Sequence, residues 1–442
     1  MSKRNKTHLA LVVSLAVVFA LPTVSSYAFT AETAFTEEDS WGDDDWAEEE
    51  SSPWHFSGFA ELALGQFTQS NVVKENSQLE EFRTRIEMGY SHDSFEISAK
   101  GDLLFDRVLS DTLWQTRELN IAFSPLESLD IKLGRQVLTW GTGDYLFLND
   151  LFAKDWQSFF SGRDDEYLKA PSDSIRAIWY FGDITLDLAW TPEFTADNYL
   201  TGERFSFYNP YAGGNVAPAE NFMVDMPDND QFSARLATTI NGVEYAMYGY
   251  VGNWTTPVGT NTLGIPNFPK MNAWGASARS SLGDGLINAE FSYYNSLSDT
   301  NNLASDNNEK PVNDQFKLLV GYEQEVAKNL TASVQYYLEH TVDYDDLKAV
   351  NPFPNELVAE NRHLVTLRLT HMALRQKLVS SLFVFYSPSD DDAYIKPSVN
   401  YRLDDAWLFS GGANVFIGKE KYSFFGQHED NSNVWLRARY IF

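Results

Sequence analysis

The last ten residues, Asn433 to Phe442, constrain the fold more than any other stretch. Val434, Leu436, Ala438, Tyr440 and Phe442 alternate with Trp435, Arg437, Arg439 and Ile441. A period of two sends these sets to opposite faces of a strand. One face is apolar and the other carries two arginines, which suits a strand standing between lipid and a wet interior. The competing reading is the edge strand of a soluble sandwich, and the rest of the chain decides between them.

The same alternation runs from Pro53 onward. Phe56, Gly58, Ala60, Leu62 and Leu64 share a face against His55, Ser57 and Glu61, and Phe82, Thr84, Ile86, Met88 and Tyr90 oppose Arg83, Arg85 and Glu87. Ile184, Leu186, Leu188 and Trp190 oppose Asp187, and Leu378 to Tyr386, Ile395 to Leu403 and Trp407 to Ile417 continue the pattern up to the final strand. About 18 such segments are present, an even number, as a single-chain bacterial barrel requires. The expected fold is all-β: a closed antiparallel transmembrane β-barrel spanning residues 54–442. Closure leaves no backbone edge unpaired in hydrocarbon.

The connections point the same way. Every second one is short: His92-Asp93, Gly182-Asp183, Asn241-Gly242, Gly283 to Gly285, Ala327 to Asn329, Asp404-Asp405. Asn-Gly and Asp-Gly are two-residue hairpin chemistry because both central positions can take positive φ. Most of the intervening connections are long, notably Gly141 to Ser172 and Pro192 to Asp230. Short turns on one rim and long loops on the other is the arrangement of bacterial outer-membrane barrels. Outward aromatics near strand ends, Tyr90, Phe123, Phe181, Tyr401 and Tyr440 on one side and Phe105, Trp190, Trp274 and Tyr293 on the other, would form the interfacial girdles.

Residues 1–28 read as a secretory signal peptide, with Lys3, Arg4 and Lys6 before an apolar core and small residues at Ser26 and Ala28. Residues 29–53 form an acidic periplasmic tail expected to be disordered, and Glu32 to Glu50 hold no basic residue. Two readings of that tail are open: a solvated leader, or a contact for a basic periplasmic or inner-membrane partner. The chain has no cysteine and a formal charge of −29. Disulfides and thiolate zinc sites are therefore excluded, and nucleic acid is not an expected partner.

On the inward face the charges sort by strand direction. Arg83, Arg85, Arg176, Arg235, Arg279, Arg368, Arg437 and Arg439 lie on strands of one sense, and Glu61, Glu96, Asp102, Asp187, Glu244, Glu290 and Glu339 on the other. Glu87 and Lys100 join the expected pore lining. Neighbouring strands should pair opposite signs, either only to stiffen the wall or also to set a transverse field across a pore. Eighteen strands leave a lumen too wide for side chains alone to fill. The candidate filler is Gly141 to Ser172, with Asn149 capping a short helix, Gly162 ending it, and Leu151, Phe152, Trp156, Phe159 and Phe160 on its apolar face. Folded inward, it would form a constriction with Arg163, Asp164, Asp165 and Glu166 beside the passage. The alternative lays the helix over the rim or on a neighbouring protomer.

Lys132-Leu133-Gly134-Arg135-Gln136, followed by Trp140-Gly141 and Gly143-Asp144, resembles the Gly-Arg-Gln strand and Gly-Asp turn of alginate-export-type outer-membrane channels and related porin-like families. That resemblance implies an 18-stranded barrel passing solutes without energy, with Arg135, Gln136 and Asp144 in the pore lining. A balanced interior lacks the dense arginine ladder a uronate-polymer exporter should carry. The terminal Phe442 resembles the signal by which the barrel-assembly machinery recognises outer-membrane strands.

No Gly-x-Ser-x-Gly elbow and no His-Glu-x-x-His pattern occurs, so no enzyme is expected and no cofactor or metal is assigned. His340 and His363, near Asp343, Asp345 and Asp346, are the one cluster that could argue otherwise. The sequence therefore reads as an outer-membrane channel for passive passage or export of polar solutes, embedded in outer-membrane lipid and lipopolysaccharide. The alternative is an outer-membrane component of a trans-envelope export or lipid-trafficking system that docks through its acidic tail.

Overall fold

The structure, a computed structural model, describes residues 52–74, 76–217, 223–261, 263–300 and 310–442. The signal peptide and the acidic stretch Glu32 to Glu50 lie outside the described residues. Within these, eighteen strands form one antiparallel sheet, each paired with its sequence neighbours. They are β1 Trp54–Phe67, β2 Ser77–His92, β3 Phe95–Asp106, β4 Asp111–Leu126, β5 Leu129–Val137 and β6 Pro171–Phe181. Next come β7 Ile184–Thr191, β8 Gln231–Ile240, β9 Val243–Asn253, β10 Lys270–Leu282, β11 Gly285–Ser296 and β12 Gln315–Ala327. The set ends with β13 Leu330–Thr341, β14 Asn361–Ala373, β15 Leu378–Ser387, β16 Asp392–Arg402, β17 Trp407–Gly418 and β18 Asn433–Ile441.

The sheet closes where β1 pairs with β18. Leu62 stands between Phe82 of β2 and Ala438 of β18. The terminal residue completes the seam: Phe442 N–H donates to the Gly58 carbonyl at 3.0 Å, and Gly58 N–H to the Phe442 carbonyl at 2.9 Å. Register pairs run on from Phe59–Ile441 to Phe67–Asn433, so the wall has no open edge in the lipid.

The loops sort by rim as the sequence suggests. Asn241 and Gly242, joining β8 to β9, take φ of 53° and 78°, the two left-handed residues of a tight hairpin. At the other rim, residues 138–170 and 192–230 make the longest connections. The outward face is apolar, with Ile86, Phe82, Leu236, Val251 and Leu436 exposed along it. Phe181 and Tyr440 stand exposed near the short turns, and Phe105, Trp190 and Trp274 near the long loops. This is a transmembrane barrel with an aromatic girdle at each end.

The register shifts at Gly65, Phe123 and Glu325 near strand ends, and once in mid-strand between β3 and β4. Lys100 faces Glu118 while Gly101 faces Thr116, which leaves Arg117 as an extra residue on β4. Such a bulge redirects a side chain, and Arg117 is consequently buried inside the barrel.

The inward face is polar only in part. Leu319, Tyr337, Leu364, Phe383, Phe385, Tyr394 and Phe416 are buried there and form the largest apolar cluster with Leu148, Phe159, Phe160 and Leu168 of the 138–170 loop. The expectation that one face looks to oil and the other to water is corrected here. From β12 to β17 the inner wall carries an apolar patch, with polar residues such as Gln335, Arg368 and Lys396 beside it, because a loop packs against it.

Candidate functional site: the inward loop and the lumen wall

Residues 138–170 turn into the barrel. The helix within them is Trp156–Ser161, shorter than expected, and Asp155 caps it rather than Asn149. Asp155 Oδ1 accepts from Ser158 N–H at 2.7 Å, the usual satisfaction of a first-turn donor. Asn149 is engaged elsewhere, donating to Glu290 Oε2 at 2.9 Å, so Leu151 and Phe152 precede the helix instead of lying on it. Gly162 ends the helix with φ of 82°, as expected of a left-handed cap. A Cβ on Gly162 would overlap the Trp435 ring. A 3-10 turn, Asp165–Leu168, follows.

The loop is fastened to nearly every sector of the wall. Trp140 Nε1 donates to Asp187 of β7 at 2.9 Å, and Thr142 Oγ1 to Glu290 of β11 at 2.7 Å. Asp144 N–H donates to Gln335 of β13 at 3.1 Å, and its carboxylate accepts from Arg368 of β14, also at 3.1 Å. Phe160 meets Tyr394 and Phe416 edge-on at 5.6 and 5.2 Å, and its carbonyl accepts from Asn414 and Asn433 at 3.0 and 3.1 Å. Asp164 lies 3.2 Å from Arg437 and 3.1 Å from Arg439. Glu166 takes two bonds from Arg85 Nη1, at 2.7 and 2.8 Å. Arg117 of β4 then grips the Glu166 and Lys169 carbonyls at 3.1 and 3.0 Å. Buried charge of this kind survives only when paired and hydrogen-bonded, and here the pairs join loop to wall.

Opposite charges also pair between strands. Asp102 takes Arg83 at 2.7 Å and Arg85 at 2.6 Å. Arg176 lies 2.6 Å from Asp187, Arg235 2.7 Å from Glu244, and Arg439 2.8 Å from Glu61. Lys100 bridges Glu118 and Glu87 at 3.1 and 3.8 Å. Arg279 faces Glu244 in register. Asp165 bonds Lys396 and Tyr145, linking the two arms of the loop to β16.

Three expected site residues do not border a passage. Arg135 shares a face with Leu133, not with Gln136: it pairs in register with Leu119 and Asp173, and Leu119 and Ile175 on that face are exposed apolar side chains. Arg135 therefore points out of the barrel, where it binds Asp173 at 3.0 Å. Arg135 lies two residues from Leu133 and so shares its outward face. Gln136 does face inward but is buried, donating to the Ser174 carbonyl at 3.2 Å. Arg163 is a buried brace rather than a passage residue. Its Nε donates to Glu81 at 3.0 and 3.2 Å, and Arg204 from the 192–230 loop joins the same cluster through Glu81 and Asp106.

Glu81, Asp106, Arg117, Tyr167, Arg204 and Lys396 escaped the sequence reading. A second apolar face on β15, Phe383 and Phe385 between Leu382, Val384 and Tyr386, was the signal that something packs inside. His340 and His363 do not form a cluster: their Nδ1 atoms contact Asn361 and Tyr336 respectively. Among the described residues no group of three or more His, Asp or Glu is arranged to hold a metal.

No protein-family model matches the sequence, and no curated protein does. Solved structures do match in fold. OccD3 (OpdP) of Pseudomonas aeruginosa aligns with a TM-score of 0.53 and 9% identity over 88% of this chain and 91% of its own. OccAB3 of Acinetobacter baumannii gives 0.52 and 9% over 88% and 99%. OccK2 (OpdF) of Pseudomonas aeruginosa, solved with glucuronate, gives 0.51 and 10% over 88% and 97%. The fold is that of an outer-membrane barrel of the porin type.

Proposed function

We propose that the protein is a passive outer-membrane channel whose selectivity is set where residues 138–170 cross the lumen. One observation carries this reading: the loop is held to the wall by ion pairs from both signs of charge, so the lumen is narrowed by a fixed element and not by a loose flap. Asp144, Asp165 and Glu166 on the loop and Arg368 on the facing wall stay partly exposed, as residues beside a wet passage would. The local charges balance, which favours small uncharged or zwitterionic organic solutes over strong ions of either sign.

The test is electrical and osmotic. The mature protein, refolded into planar bilayers, should give discrete conductance steps with a near-neutral reversal potential in a salt gradient. Liposomes carrying it should swell faster in glucose than in glucuronate. Absence of conductance from correctly folded protein would remove the channel reading.

A further inference from the structure

The connection between β7 and β8 does not stay on its own side of the barrel. Ser206 is bonded to Asn431 in the β17–β18 connection, and Asn215 Nδ2 donates to Asp430 there at 3.1 Å. Tyr208 OH donates to Glu356 in the β13–β14 connection at 3.1 Å. In the ring order, strands β8 to β17 separate the two ends of this span on one side, and β18 with β1 to β7 on the other. Residues 192–217 therefore cross the long-loop mouth almost along a diameter.

Their far fastening depends on one amide. Asn431 Nδ2 donates to the Ser206 carbonyl at 2.8 Å, while its Oδ1 accepts from Ser206 N–H at 3.0 Å and from Asn71 Nδ2 at 2.7 Å. The Ser206 backbone thus fixes which end of the amide is which. The second Nδ2 hydrogen is left facing His428 Nδ1 at 3.1 Å, so that nitrogen must accept and carry no proton. Protonating the ring sets one N–H against another. Asn431 cannot turn over without losing both Ser206 backbone bonds.

Little in the surroundings favours a proton on the ring. It is buried against Phe160 and Phe416. In its own loop Glu429 is exposed and Asp430 is turned to Asn215. Lys154, Asp197 and Arg362 line the adjoining cavity with it. Lys154 is held by Asp150, Arg362 by Asp390, and Asp197 by Lys154 N–H and Trp156 Nε1. Burial lowers the ring's pKa to about 4, with only the Ser206 backbone pulling upward.

We propose that residues 192–217 form a lid over the mouth, and that the Ser206–Asn431–His428 contact is its latch, released when acid protonates the ring. An effect on current rests on the channel reading. The release itself does not.

The test is the distance between spin labels on Ala212→Cys in the lid and Thr112→Cys in β4, both exposed and outside the latch. Double electron–electron resonance on the full mature protein in liposomes measures it. At pH 7 one distance should be found. At pH 4 a second, broader population should appear. The ratio of released to latched molecules should rise by about a hundredfold, because the released ring takes its proton at an ordinary 6.5 and the latched ring at about 4. His428→Phe keeps the ring packing and should hold the pH 7 distance at both values. Glu356→Gln with Asp430→Asn keeps those acceptors, removes their charge, and should release like the parent. An unchanged distance in the parent at pH 4 overturns the latch. So does release that survives His428→Phe or vanishes in the carboxamide pair. Should His428→Phe not fold, the carboxamide pair still separates the ring from the carboxylates. Release without bilayer conductance keeps the latch and removes the channel. Conductance with a lid fixed at pH 4 removes the latch alone.

Discussion

Arg85 of β2 holds Glu166 of the inward loop through two bonds of 2.7 and 2.8 Å, while its other nitrogens hold Asp102 of β3. One guanidinium thus ties two strands and the loop together. Removing one partner of a buried ion pair leaves the others uncompensated. Arg85→Ala should therefore destabilise the barrel by about 3 kcal/mol, read as a lower midpoint for loss of the compact form on heating. It should also make the open-channel current noisier, because the end of the loop loses its anchor.

Arg437 and Arg439 share Glu61 and Asp164. Replacing both by glutamine leaves two carboxylates without their cations at the belt. Cation over anion permeability should rise by about fivefold, the weight of the roughly 1 kcal/mol between unit charges 4 Å apart in water. The reversal potential in a potassium chloride gradient measures it.

Gly162 and Gly182 both hold positive φ, 82° and 60°, but only Gly162 lies against a ring. Alanine at Gly182 meets open space and should cost about 1 kcal/mol for the left-handed backbone alone. Alanine at Gly162 must also displace Trp435, and should cost about 3 kcal/mol. Guanidinium unfolding of the two variants tests the difference.

His428 sits in the loop between β17 and β18, buried against the Phe160 and Phe416 rings, with its Nδ1 beside Asn431. Burial lowers its pKa to about 4 from the ordinary 6.5. The folded state thus holds the neutral ring where the unfolded state would take a proton. Stability is whole above pH 6.5 and falls as pH drops toward 4, by about 3 kcal/mol in all. Limited proteolysis within residues 419–432 should accelerate between pH 7 and pH 4.5 in the parent. In His428→Phe it should not.

The barrel was legible because period-two patterning and turn chemistry are local. Each strand announces its outer face, and Asn241-Gly242 announces its hairpin. The sign-sorted charges on neighbouring strands were equally plain. The inward loop was legible only as an apolar stretch ending at Gly162. Its true cap, Asp155, and the engagement of Asn149 by Glu290 depend on contacts between residues far apart in sequence, which leave no local pattern. Arg117 was hidden for another reason: a bulge breaks the parity on which the inner face was assigned. Arg135 was placed by motif resemblance alone, while its register with Leu119 sets it on the outer face.

The central claim is that residues 138–170 border the passage inside the barrel. The sequence holds no cysteine, so a single introduced thiol can be addressed alone. Asp165→Cys, at a side chain 52% exposed on the inner side, should react with a bulky water-soluble thiosulfonate and lose roughly half or more of its single-channel conductance as the pore narrows. Leu436→Cys, on the lipid face, is out of reach of the water-soluble reagent and should show no change in current. Unaltered conductance after complete modification of Asp165→Cys would contradict the account.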